Sequence, residues 1–153
     1  MRSRLQLWLG DFCISSAEMS HVGRLQNVFV VDNSASMGML QPSVNGRGQP
    51  AQTRMRTMKQ KLLEALGNLN RAQYFLLITF STHVDLATIW QQATPNQISL
   101  AKSRIHAWKA TGTSNTLEAL QAARAQCKWG LQHQYGIYLL SDGVPDETGL
   151  LAG

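Results

Sequence analysis

Three places in this 153-residue chain gather oxygen-bearing side chains at spacings that suit chemistry: Asp32-Asn33-Ser34-Ala35-Ser36, Thr113-Ser114 and Asp142. In the first, an acid at position one and hydroxyls at positions three and five let alternate side chains point inward while the backbone turns. Hard oxygen donors without nitrogen or sulfur suit Mg²⁺, with Mn²⁺ and Ca²⁺ as alternatives, whereas zinc and copper favour softer ligands. The bland reading of the same residues is a turn after a strand, since Asp and Ser commonly bond the nearby backbone. Taken alone the Asp-x-Ser-x-Ser spacing is a weak motif, and its place in the fold has to decide.

Other chemistries find little support. Two cysteines, Cys13 and Cys127, provide neither a disulfide framework nor zinc-site spacing. His21, His83, His106 and His133 stand singly, as packed or surface histidines do. Gly46-Arg47-Gly48 fits none of the phosphate-cradling spacings, and there is no Gly-rich lysine loop. Haloacid-dehalogenase-type phosphatases carry Asp-x-Asp after their first strand, but here Ser34 replaces the second acid. A Mg²⁺-dependent phosphate-processing enzyme is therefore the minor alternative, and no catalytic residues are assigned.

The elements that must position these residues follow from periodicity. Val28-Phe29-Val30-Val31, Tyr74 to Phe80 and Ile137-Tyr138-Leu139-Leu140 are apolar runs expected of strands buried on both faces. Met55, Met58, Leu62, Leu66 and Leu69 recur at three and four, giving an amphipathic helix behind Thr53 as N-cap. Such a Met and Leu stripe is core, with no cofactor role. Thr94-Pro95 opens a second helix with Ile98, Ala101, Ile105 and Trp108 on its stripe, and Asn115 with Glu118 opens a third reaching about Lys128. Val84 to Trp90 reads as an edge hairpin, and Trp90, Trp108 and Trp129 as covers for the core edge. Gly38 to Gln52, with three glycines and two prolines, reads as a long loop.

Apolar strands alternating with amphipathic helices predict an α/β, doubly wound and mainly parallel sheet, with helices on both faces and an antiparallel edge strand. Ligands in such folds bind beyond the C-terminal ends of the strands, which is where Asp32, Ser34, Ser36, Thr113, Ser114 and Asp142 fall. Residues 1–24 are read as an N-terminal extension outside the core, and residues 25–153 as the domain itself.

The sequence Val28-Phe29-Val30-Val31-Asp32-Asn33-Ser34-Ala35-Ser36-Met37 resembles the opening of a von Willebrand factor type A domain with its metal-ion-dependent adhesion site. Gly112-Thr113-Ser114-Asn115-Thr116 is similar to the family's Gly-Gly-Thr-Asn loop, and Ile137 to Gly143 to its strand ending in Ser-Asp-Gly or Thr-Asp-Gly. The resemblance covers about Asn27 to Asp146. It implies that Asp32, Ser34, Ser36, a hydroxyl of the second loop and Asp142 hold the ion, some through water. Counting back from Ala119-Leu120 puts Ser114 in the threonine's place, whereas matching Gly112-Thr113 selects Thr113; the first is preferred. The resemblance further implies a protein partner that supplies an Asp or Glu to the metal.

A nucleic-acid partner is the remaining class. The net charge is +5, and nine Lys and Arg against Glu64 and Asp85 between Asn33 and Leu117 give +7 there (9 − 2). Most of these residues fall on the polar faces of two amphipathic helices, where they are ordinary, so this reading ranks below protein binding. No apolar run is long enough for a membrane span, and few cysteines without an export signal favour an intracellular setting. Domains of the family usually continue after the Asp-Gly strand. The domain is therefore expected to be incomplete at its C-terminal end, with Tyr135 to Leu140 an unprotected edge open to self-association.

Overall fold

β-Branched and aromatic residues with no intervening charge let a strand be buried on both sides, and three such segments form the centre of the sheet. A computed structural model describes residues 4–9, 26–40, 52–127 and 135–142, the first of these as backbone. The glycine- and proline-rich run after Leu40, Trp129 and the residues after Asp142 lie outside the described residues.

In chain order the elements are β1 (Arg4–Leu9), β2 (Gln26–Asp32), a 3₁₀ turn (Ala35–Gly38), α1 (Arg54–Gly67), β3 (Tyr74–Phe80), β4 (Val84–Leu86) and β5 (Gln91–Gln92). They continue with α2 (Pro95–Ala107), α3 (Thr116–Gln126) and β6 (Tyr135–Ser141). The sheet runs β1-β6-β2-β3-β4, with β5 also on β3. β1, β6, β2 and β3 are parallel neighbours; β4 pairs antiparallel with β3 as the expected edge hairpin, though only over Val84–Leu86 and not as far as Trp90, and β5, outside the expected range, also pairs antiparallel with β3. Each helix begins at its expected cap: Thr53, Thr94 and Asn115 accept from the backbone N–H of Arg56, Gln97 and Glu118.

Alternation along the strands divides the core in two. Phe29, Val31, Phe75, Leu77, Tyr138 and Leu140 face α1 and α2, where Met55, Met58, Leu62, Leu66, Ala101 and Ile105 cover them. Val28, Val30, Leu76, Ile78, Phe80, Ile137 and Leu139 face the other way, against Ala119, Ala123 and Cys127 of α3 and its end. The small residues of α3 let its backbone approach the sheet closely. Cys127 is buried, as expected, and burial pushes its thiol pKa up. Trp90 and Trp108 are half-buried at the margins of these two clusters.

One expectation is corrected. Tyr135–Ser141 is no edge: it lies between β2 and β1, with Leu5 opposite Ile137 and Leu9 opposite Ser141. Part of the stretch set aside as an extension supplies the neighbouring strand, so the open pairing edge at β6, and the self-association argued from it, fall away. A continuous apolar run with partners on both sides is what parallel-sheet burial favours.

Candidate functional site

β2 and β6 run in parallel with Val31 opposite Leu140, so the residues that follow, Asp32 and Ser141, end their strands side by side. The Ser141 hydroxyl donates to Asp32 Oδ2 at 2.9 Å. Asp32 is fully buried, and its other oxygen, Oδ1, accepts the backbone N–H of Ser34 at 2.9 Å, which folds the chain back into the 3₁₀ turn. Ser114 reaches Oδ2 from the far loop at 3.3 Å. A buried carboxylate without such donors is costly, and these three neutral donors are what let Asp32 stay inside.

The loops around it are laced together by backbone. Asn33 N–H donates to Phe80 O, Thr111 N–H to Asn33 O, Ala35 N–H to Gly112 O and Asn115 N–H to Ser81 O. Gly112 makes the last crossing possible: its φ is +81°, and a Cβ there would sit 2.6 Å from Thr82 Oγ1. Met37, fully buried, pins the 3₁₀ turn into the larger core cluster. Ser34 and Ser36, two residues apart on this turn, bring their hydroxyls within 3.0 Å of one another.

The two hydroxyls of the second loop part company. Ser114 is buried and meets Asp32 and, at 3.4 Å, Thr116 Oγ1. Thr113 is exposed and bonds Thr82 through both its N–H and its hydroxyl. Of the two alternatives, geometry brings only Ser114 to Asp32.

Asp142 closes the third side with its side chain 1% exposed, and Arg54 Nη1 donates to its Oδ2 at 3.2 Å. The same nitrogen lies 3.5 Å from Ser36 O. Arg54 is the first residue of α1, and its backbone N–H is held by Met39 O while Leu40 and Thr53 form a β-bridge, so the start of the helix is tied to the 3₁₀ turn.

Sequence reasoning missed Ser141 and Arg54. Ser141 needs the strand register to be seen. Arg54 had a signal: a cation in a helical first turn that carries no acid opposes the helix dipole, and so points to a partner elsewhere. Among the described residues no three His, Cys, Asp or Glu side chains cluster, so this rim offers two carboxylates and hydroxyls.

A family profile for the von Willebrand factor type A domain matches residues 27–144, from the first buried strand through the loop that carries Asp142. The chain belongs to the von Willebrand factor type A family. Domains of this family commonly act as protein-interaction modules and are typically non-enzymatic. Solved structures with the same fold include an aerotolerance-related membrane protein from Bacteroides fragilis, with TM-score 0.64 and 17% identity over 84% of this chain and 59% of that one. BatB from Bacteroides thetaiotaomicron gives 0.63 and 17% over 84% and 58%, and a von Willebrand factor type A structure from Catenulispora acidiphila gives 0.52 and 16% over 65% and 22%. At these identities the likeness carries the fold alone. The chain spans between 22% and 59% of the length of these three structures. No match is found among curated proteins. Among the described residues of this von Willebrand factor A domain, no helix is long and apolar enough to cross a membrane.

Proposed function

We propose that this domain binds a protein partner through a divalent ion, with an Asp or Glu of the partner completing the ion's coordination. The observation that carries the reading is the convergence of Asp32, Ser34, Ser36, Ser114 and Asp142 on one rim, from the turn after β2, the loop before α3 and the end of β6. An all-oxygen donor set of this kind suits Mg²⁺, and Mn²⁺ or Ca²⁺ in its place. Asp32 and Asp142 would hold the ion, with Ser34, Ser36 and Ser114 as hydroxyl ligands or as donors to its waters. A bound ion supplies a Lewis-acidic position that an outside carboxylate fills.

Formal charge supports an acidic partner. While Arg54 stays beside Asp142, its charge and that of a divalent ion exceed the two negative charges of Asp32 and Asp142 by one, which a single carboxylate neutralises. The basic surface gives less support to a nucleic-acid reading. Lys59 donates to two backbone carbonyls, Arg104 to Ala87 O, Arg54 to Asp142, and Lys61 lies 3.9 Å from Glu64.

Calorimetric titration of Mg²⁺ and Mn²⁺ into the chain and into Asp32→Ala tests the site. Loss of binding in the variant is expected, and equal affinity in both removes the metal reading. With a partner in hand, chelation by EDTA should release it; a complex that survives EDTA would point to another surface.

A further inference from the structure

The two carboxylates of the rim are neutralised differently, and the difference falls on Asp142. Asp32 is served by a backbone N–H and two serine hydroxyls, all uncharged. Asp142 is served by a full positive charge, the guanidinium of Arg54 at 3.2 Å, with the Asp142 side chain almost wholly buried and that of Arg54 25% exposed. Arg54 is also no loose surface cation. Its N–H is fixed to Met39 O at 3.0 Å, the neighbouring Thr53 is bridged to Leu40, and Nη1 lies 3.5 Å from Ser36 O, so the guanidinium is held over the rim between two of the residues that frame it.

We infer that Arg54 is a tethered cation that competes with the divalent ion for Asp142 and so sets the ion's affinity. The inference rests on the metal reading of this rim. An ion on Asp142 would share that carboxylate with a like charge, in a place where little water screens the two. Binding therefore requires Arg54 either to yield Oδ2 or to draw electron density from the carboxylate while the ion uses it. The partial exposure of Arg54 gives it somewhere to go: its side chain can swing toward solvent from a fixed backbone. The rim is thus built to hold a metal loosely, with the charge of Asp142 countered when the guanidinium is in place.

Mn²⁺ titration of the wild type, Arg54→Gln, Arg54→Lys and Asp32→Ala decides the matter. Arg54→Gln should bind about tenfold more tightly, as removal of an adjacent like charge predicts. Arg54→Lys keeps the charge but loses the planar fork, and should tighten binding about threefold. Thermal melts in EDTA check that each variant is folded, and the Mn²⁺-induced rise in Tm should be larger in Arg54→Gln than in the wild type. If Arg54→Gln does not fold, the lysine variant against the wild type still gives the answer. Unchanged or weaker Mn²⁺ binding in the folded Arg54 variants, with binding still lost in Asp32→Ala, would overturn this inference and leave the metal site standing. Equal binding by the wild type and Asp32→Ala would remove the metal site and this inference with it.

Discussion

At the end of β2, Asp32 is buried among neutral donors that belong to three separate segments; at the end of β6, Asp142 meets a charged side chain from α1. The first arrangement is part of the fold. Its donors cannot leave without breaking the turn after β2 or the loop before α3, and Met37 fixes that turn to the core. The second is exchangeable against another cation: the Arg54 side chain, 25% exposed, can reach water, while Asp142, 1% exposed, needs a positive charge in its place. The contrast teaches that one rim can combine a permanent structural acid with an acid that changes partners, and that loss of the two should have different consequences.

Asp32→Ala should show the largest effect. It leaves the Ser114 and Ser141 hydroxyls and the Ser34 N–H without their common acceptor, and urea unfolding should show a loss of about 3 kcal/mol together with loss of Mn²⁺ binding. Asp142→Ala should separate the two properties. Binding of Mn²⁺ should fall at least tenfold by calorimetry, while stability falls by about 1 kcal/mol, since Arg54 keeps a route to solvent. A stability loss as large as that of Asp32→Ala would break the comparison.

Ser141→Ala removes one donor from a buried carboxylate and should cost about 1.5 kcal/mol in urea unfolding, with Mn²⁺ affinity changed less than in Ser114→Ala. Thr113→Ala should do least: its partner is Thr82, so Mn²⁺ affinity should stay within about twofold and stability within about 0.5 kcal/mol. A Thr113 variant that lost metal while Ser114→Ala kept it would reverse the assignment of the loop hydroxyl.

Much of this was legible from the residues because period and chemistry agreed. Val28 to Val31, Tyr74 to Phe80 and Ile137 to Leu140 could only be buried strands, and Thr53, Thr94 and Asn115 marked their helices to the residue. β1 was missed for a physical reason. Gln6 interrupts its apolar residues, and its membership depends on pairing with a strand more than 120 positions later, which no local pattern records. The same holds inside the candidate site. Asp32, Ser34 and Ser36 announce themselves by spacing, whereas Ser141 enters through register and Arg54 through the path by which the chain returns from Leu40 to Thr53. Thr113 and Ser114 could not be told apart by spacing because their separation depends on Gly112, whose positive φ accompanies the contact of Thr113 with Thr82.

Lys59 gives the arrangement a mechanical side. It lies five residues beyond Arg54 on α1, and its ammonium, whose pKa burial lowers, donates to the carbonyls of His106 and Trp108 at 3.0 and 2.6 Å. Those carbonyls belong to the stretch of chain that leads into the loop of Ser114. On this helix of fourteen residues the first residue holds Asp142 while the next turn holds the approach to the opposite wall of the rim. α1 is therefore a brace with both walls attached to it: because Lys59 holds the helix to the approach of the Ser114 loop, Arg54 can let go of Asp142 by its side chain alone while the backbone of the rim stays in place.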